Sequence, residues 1–436
     1  MKTSAEIKLW GTTIGAVSLD SNNRTADFEY NPSFTQSGIQ LSPIMMPLKH
    51  GIYRFPDLPY ETYHGLPGLI SDSIPDKFGN DIINIWLAKQ GRLPESFNAV
   101  ERLCYTGKRG MGALEYFPIT SSEQVDERVN VSELVELASL VLKNRQNLQT
   151  VLDESNKKKM KSALSQIISI GTSAGGARAK AVIAWNPKTK EVRSGQSEFS
   201  EGYEHWLIKF SGVTGNKDKE DEDREDFGII EYAYYLMAKE AGINMSECRI
   251  LDDGKNAHFM TKRFDRDNKG NKFHMQTLCA IGHMDFNQAG VYSYEQLFYI
   301  LNRIGVHHQD SVESFKRMLF NIYSFNCDDH TKNISFLMNK QGQWKISPAY
   351  DVSFAYNPNG MWTSSHQMTI NGKRKNFTEL DFETCAKLGN LSNREKKNAI
   401  TDVKAAISKW KSIAKKTGLT DNRINEIWKI LSSNSL

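Results

Sequence analysis

The spacing of apolar residues changes twice along this chain, and that change limits the folds open to it. Up to about Pro118 apolar and polar residues alternate, as in Glu6-Ile7-Lys8-Leu9-Trp10 and Gly15-Ala16-Val17-Ser18-Leu19. A glycine- and proline-punctuated stretch from Ser42 to Gly79 lies within this region. Alternation puts every second side chain on one face of a strand, so a β-rich unit is expected, with a helix over residues 81–90. From Asn130 the period becomes helical, through Leu134, Val135, Leu137, Leu140, Val141 and Leu142, and again over residues 157–168. Strands are expected at residues 181–185 and 205–210, then a helix over 228–241. After about Phe264 helices dominate, at 294–305, 311–325, 394–416 and 422–431. The expected class is α+β in three parts: β-rich residues 1–120, mixed residues 121–263 and helical residues 264–436.

Composition narrows the class of protein. A chain of 436 residues, 39% hydrophobic and 24% charged, can bury two or three cores and is too polar on average to be embedded in a membrane. The first nine residues carry charges, and no window reaches about 18 uninterrupted apolar residues. A soluble cytoplasmic protein is expected. Its five cysteines are scattered without a C-x-x-C pair, which indicates neither a disulfide framework nor a zinc site. A net charge of +4 says little about partners, so any nucleic-acid role would rest on local patches.

The chemistry is concentrated in Asn326-Cys327-Asp328-Asp329-His330-Thr331-Lys332-Asn333 and the later Ser347-Pro348-Ala349-Tyr350-Asp351. A helix carrying Val312, Phe315, Leu319, Ile322 and Phe325 leads into the first segment. The runs 334–338 and 344–347 flank Asn339-Lys340-Gln341-Gly342-Gln343 as a hairpin would. Folding that hairpin returns Asp351 toward Asp328 and Asn333. A carboxylate can orient a hydroxyl and take its proton, while an amide oxygen and a second carboxylate suit magnesium. Asp328 stands five positions before Asn333 and Asp329 four; the D-x-x-x-x-N spacing of protein kinases therefore selects Asp328 as base. The plainer alternative is that Asp328, Asp329 and Asn333 only cap a turn.

Three earlier features complete a nucleotide half. The small-residue run Gly171-Thr172-Ser173-Ala174-Gly175-Gly176-Ala177-Arg178-Ala179-Lys180 precedes a strand, and its backbone N–H groups suit close approach to phosphate. Lys209 sits among apolar neighbours in His205-Trp206-Leu207-Ile208-Lys209-Phe210 and reads either as a solvated strand-edge charge or as a phosphate lysine partnered by Glu231. Singly each is weak, but they occur in kinase order.

In this combination the chain resembles the HipA family, kinase toxins of bacterial toxin–antitoxin modules. The resemblance runs through Ser71-Asp72-Ser73-Ile74-Pro75-Asp76-Lys77-Phe78-Gly79, Gly112-Ala113-Leu114, Ser173 to Lys180, Trp206 to Phe210, Lys262-Arg263-Phe264-Asp265-Arg266, Asp328 to Asn333 and Pro348 to Asp351. It implies a protein-kinase-like two-lobed fold with a β-rich N-terminal cap subdomain, a mixed N-lobe and an all-helical C-lobe. It further implies a serine/threonine kinase using ATP and Mg2+. Asp328 would be the proton acceptor, with His330 and Lys332 in the catalytic loop, and Asn333 and Asp351 the metal ligands. Lys209, Glu231 and the turn Gly175, Gly176, Ala177, Arg178, Ala179, Lys180 would serve the phosphates, and Lys262, Arg263 and Phe264 the adenine. Ser173, or Thr172 beside it, would be the autophosphorylation site. A HipB-like helix-turn-helix antitoxin, operator DNA through it, and a target such as an aminoacyl-tRNA synthetase are the implied partners, with no membrane.

Two charged segments stay ambiguous. Residues 217–226 hold seven acids and three bases, a solvated loop or a docking surface for a basic partner. The 394–416 helix carries eight Lys or Arg against two acids, a solvated face or a DNA contact through an antitoxin complex. Two further readings remain beside the kinase toxin: a non-catalytic corepressor, and a small-molecule kinase.

Overall fold

The computed structural model describes residues 2–20, 22–120, 129–144, 151, 167, 178–195, 202–214, 226–267 and 269–433. Outside them lie Ser173, Gly175, Gly176 and Ala177 of the glycine-rich segment, most of the expected 157–168 helix and residues 217–225 of the acidic run. The chain gathers into two compact units. The first takes Met1–Leu41, Met46–Glu225 and Leu251–Met275; the second takes Ser42–Met45, Asp226–Ile250 and Gln276–Leu436.

In the first unit the alternating N-terminal segments form an antiparallel sheet. Strands β1 (Lys2–Leu9), β2 (Thr12–Asp20), β3 (Asp27–Tyr30), β4 (Ile52–Tyr53) and β5 (Leu114–Phe117) lie in the order β4-β3-β2-β1-β5. Ala5, Ile7 and Leu9 on one face of β1 are buried, as the period of two requires. Gly15 of β2 has no room for a side chain, because a Cβ there would stand 2.3 Å from the Glu29 carbonyl oxygen. The helix expected at 81–90 begins earlier and spans Lys77–Lys89. Asp76 caps it, accepting from the Gly79 N–H at 2.7 Å.

The second sheet contains β6 (Lys180–Trp185), β7 (Val192–Ser194), β8 (Glu204–Lys209), β9 (Cys248–Asp252) and β10 (Ala257–Lys262), in the order β7-β6-β8-β10-β9. Lys209 is therefore on a central strand, not at a sheet edge. Phe78, Ile82 and Ile85 share one core with Leu134, Ala138 and Val141 of the Val131–Lys143 helix and with Ile183, Trp206 and Ile208 of this sheet. One continuous core thus joins residues on both sides of residue 120.

The second unit is mostly helical, with a three-stranded sheet where an all-helical lobe was expected. Its Phe227–Glu240 helix buries Tyr234, whose ring packs edge-on against Trp410 and Phe320 at 5.4 and 6.3 Å between centroids. The stretch expected as one helix over 394–416 is two, Asn393–Ser408 and Trp410–Lys416, broken at Lys409. The break accompanies burial of Trp410, whose indole N–H donates to the Ile424 carbonyl at 3.1 Å. The expected hairpin is present as β12 (Ser335–Met338) and β13 (Trp344–Ile346), with Phe336 opposite Ile346. Strand β11 (His274–Thr277) carries the chain into this unit. Among the described residues no helix is long and apolar enough to cross a membrane.

Candidate active site

The Asp328 to Asp351 region lies wholly in the second unit. The His308–Tyr323 helix stops at Ser324, Phe325 takes a left-handed φ of 54°, and the Asn326 N–H turns back to the Asn321 carbonyl at 2.9 Å. The next residues are laced to a distant segment: Cys327 N–H donates to Ala355 O at 3.0 Å, and Ala355 N–H to Phe325 O at 3.1 Å. A loop whose backbone groups are paired in this way can hold side chains in fixed directions.

The two adjacent aspartates meet opposite environments. Asp329 is 2% exposed and accepts three hydrogen bonds, from Tyr294 Oη at 2.7 Å, His366 Nδ1 at 2.9 Å and the Gln367 N–H at 2.7 Å. Burial alone would lower the pKa of His366, but the Asp329 carboxylate overrides this and raises it to about 10. His366 is therefore an imidazolium at neutral pH, with Nε2 3.8 Å from Cys327 Sγ. Asp328 keeps 40% of its side-chain surface. Its Oδ1 accepts from the Trp362 indole at 2.7 Å and lies 3.7 Å from His330 Nε2, while Oδ2 has no hydrogen-bond partner among the described residues. Desolvation raises the pKa of Asp328; Asp351 and Asp329 push the same way, and His330 and Trp362 oppose them.

Asn333 closes a short helical turn, Thr331–Asn333, and its amide nitrogen donates to the Asp328 carbonyl at 2.9 Å. That bond fixes the amide plane and turns Oδ1 the other way. Thr331 anchors the turn by donating to the Met284 carbonyl at 2.6 Å. Lys332 places its ammonium 5.0 Å from the centre of the Phe286 ring, and His330 packs on the same ring at 5.3 Å. Asp351 has a left-handed φ of 55°, a conformation tolerated by Asp and concentrated at functional positions. Its neighbour Tyr350 donates to the Lys332 carbonyl at 2.7 Å and bonds the Ser335 hydroxyl, and the Ala349 N–H donates to Asn244 O at 2.8 Å. The hairpin thus returns Asp351 to the wall of a cavity of about 40 Å3 that Asn333, Asp329, Asn321 and Asn326 also line. Amide and carboxylate oxygens are the donor chemistry magnesium takes, with the rest of its shell left to water and phosphate.

Among the described residues, those expected to serve the nucleotide fall in the first unit, apart from Glu231. Lys209 is 8% exposed, opposite both Lys180 and Phe259 in the sheet, with its ammonium 5.7 Å from the centre of the Phe259 ring. Lys180 is 2% exposed and faces Asp76 Oδ2 at 3.6 Å. Arg178 is half-buried, and Ala179 is buried with its carbonyl accepting from Phe210 N–H at 3.0 Å. Lys262 pairs with Glu204 at 2.6 Å, and Phe264 is half-buried. The Arg263 side chain is committed elsewhere. It donates to both oxygens of fully buried Asp265 at 2.9 and 2.7 Å and to Gly110 O, and Arg266 donates to Asp265 and Gly112 O. Burial alone would raise the Asp265 pKa, but the two guanidiniums hold it well below the usual carboxylate range. Glu231 is 3% exposed on the Phe227–Glu240 helix of the second unit.

Sequence reasoning missed Trp362, His366, Gln367 and Tyr294. None stands at a periodic distance from Asp328 or Asp329, and their contacts span 34 to 38 positions. Asp76 lay within a motif of the resemblance without an assigned role.

A bundle of helices following a five-stranded sheet, with a D-x-x-x-x-N loop and a returned aspartate, defines a kinase-like α+β protein. The sequence matches the HipA N-terminal domain over residues 5–117 and the HipA-like C-terminal domain over residues 172–416. The chain belongs to the HipA family. Its fold is similar to that of a Shewanella oneidensis MR-1 HipA, solved with HipB and its operator DNA, at a TM-score of 0.63 and 17% identity, covering 98% of this chain and 95% of that one. A Haemophilus influenzae protein named "Putative kinase" is 28% identical over 134 residues, 28% of this chain and 39% of that protein. The chain thus spans about two-fifths of that curated relative's length.

Proposed function

We propose that the chain is an ATP- and magnesium-dependent protein serine/threonine kinase acting as the toxin of a toxin–antitoxin pair. The observation that carries this reading is the division of labour between adjacent carboxylates. Asp329 is consumed by three donors, whereas Asp328 keeps an oxygen open. An acceptor hydroxyl beside Asp328 would be oriented and deprotonated by it, and a raised pKa makes that carboxylate a better proton acceptor. Lys332 and His330 would flank the transferred phosphoryl group. Asn333 Oδ1 and the Asp351 carboxylate would hold magnesium, which neutralises charge on phosphate oxygens. Lys209, Glu231 and the Gly175 to Lys180 turn would serve the phosphates, and the backbone of Lys262, Arg263 and Phe264 the adenine. Ser173, or Thr172, would be the self-phosphorylated residue, since nearly two added negative charges would expel a phosphate cradle from its ligand.

A HipB-like antitoxin, and operator DNA through it, are the proposed partners of a cytoplasmic protein, on the strength of the assembly in which the Shewanella relative was solved. The same assembly favours a second reading, a kinase-fold corepressor without catalysis. Purified chain incubated with labelled ATP and magnesium should gain phosphate on Ser173 or Thr172, and Asp328→Asn should not. Equal labelling of the two would remove the catalytic assignment. Absence of nucleotide binding at millimolar ATP, with antitoxin and operator binding intact, would select the corepressor.

A further inference from the structure

We propose that Trp362 is a positioning residue for the Asp328 carboxylate, held for that task by the segment that ends at Gln367. The proposal rests on the reading of Asp328 as base. Residues 362–367 make polar contacts to three consecutive residues of the loop. Trp362 donates to Asp328 Oδ1 at 2.7 Å; His366 Nδ1 and Gln367 N–H bond the two oxygens of Asp329; Gln367 Nε2 reaches Cys327 O at 3.3 Å. Gln367 Nε2 also bonds the carbonyls of Trp362 and Ser365, so the residue that clasps the loop also shapes the bend that presents the indole.

A half-exposed aspartate on a loop is free to turn about both side-chain torsions. A charge-assisted N–H···O bond to one oxygen stops that rotation and leaves the other oxygen facing a fixed direction. Here the captured oxygen is Oδ1, and Oδ2 remains for an acceptor hydroxyl. Trp362 would then act through Asp328 without touching the substrate. An indole that merely needed an acceptor could have used a carbonyl; this one is delivered to the proposed base by a mount built on that base's two neighbours.

Trp362→Phe keeps an aromatic ring and deletes the N–H donor, together with part of the ring area that faces His330 at 6.4 Å between centroids. With ATP, magnesium and a protein acceptor, kcat should fall about tenfold or more, the scale of a lost hydrogen bond to a charged group. KM for ATP and the melting temperature should hold. Among the indole N–H resonances of the eight tryptophans, the one missing in Trp362→Phe should move upfield in Asp328→Asn. An unchanged kcat in folded Trp362→Phe overturns the proposal. So does a joint fall in kcat, ATP affinity and melting temperature, which would mark a packing role, or an indole resonance indifferent to Asp328→Asn. If the wild-type chain transfers no phosphate, the kinase reading fails separately. The indole resonance then decides alone: movement sustains the positioning contact and immobility removes it.

Discussion

His366 Nδ1 lies 2.9 Å from Asp329 Oδ2 with both side chains almost wholly out of solvent, so the loop is braced by a buried imidazolium–carboxylate pair. Tyr294 Oη shares Oδ2, and its own oxygen accepts from Asn321 Nδ2 at 3.1 Å. Asp329 is thus a structural pin tied to two helices' worth of side chains. This frees its neighbour Asp328 from any bracing role.

That pair makes stability depend on pH in a definite direction. The folded pKa of His366, about 10, is raised above its ordinary value of about 6.5. Its contribution is complete below about pH 6.5 and is lost as pH rises through 10. The melting temperature of the wild-type chain should decline over that window, and the decline should be shallower in His366→Gln. Parallel profiles for the two proteins would show that the pair does not bear on stability.

Opposite outcomes are expected for two neighbouring substitutions. Asp328→Asn should reduce phosphoryl transfer by about 10^2-fold or more, the scale of general base catalysis, with little change in melting temperature. Asp329→Ala strips His366 of its buried carboxylate and should cost about 3–5 kcal/mol in stability. Chemical denaturation alongside a transfer assay separates the two, and a reversal of these effects would exchange the roles.

Asp76→Ala tests the link between the N-terminal helix and the second sheet of the first unit. It removes both the carboxylate facing buried Lys180 and the cap of the Lys77–Lys89 helix. A cost of about 3 kcal/mol or more is expected, of which the cap accounts for about 1. Asp76→Asn, which keeps a capping oxygen, should recover the smaller share. A loss below about 1 kcal/mol in Asp76→Ala would mean that the ion pair is immaterial.

Tyr350→Phe tests how Asp351 is held. Its hydroxyl joins the Lys332 carbonyl to the Ser335 hydroxyl, and so ties the proposed metal carboxylate to the catalytic loop. Loss of that tie should raise the magnesium concentration needed for half-maximal transfer several-fold, since misplacement on the order of 1 Å is costly at such sites. Unfolding free energy should fall by about 1–2 kcal/mol, the net value of the two hydrogen bonds the hydroxyl makes. An unaltered magnesium requirement would place the hold on Asp351 elsewhere.

Local pattern carried much of this protein into view. Alternation marked β1 and β2, helical spacing marked the Val131–Lys143 and Phe227–Glu240 helices, and glycine and asparagine between two apolar runs marked the β12–β13 hairpin. These signals are legible because a side chain's face is set by strand or helix period within a few residues. Counting from Asn333 also selected Asp328 as the proposed base. The period does not record which distant surface a face meets. It offered no sign that Phe78 and Trp206 share one core, that the 394–416 stretch breaks at Lys409, or that Arg263 turns inward to Asp265.

The same limit runs through the site. Composition and spacing determined that this chain carries two adjacent aspartates, an asparagine and a later aspartate in kinase order. Only the tertiary structure decided which aspartate would be buried, because burial depends on His366, Tyr294 and Gln367 arriving from some 35 to 38 positions away. A carboxylate enclosed by three donors has little freedom to exchange partners with a substrate. One left half in solvent, with a single oxygen held, keeps the other open, as the proposed base requires.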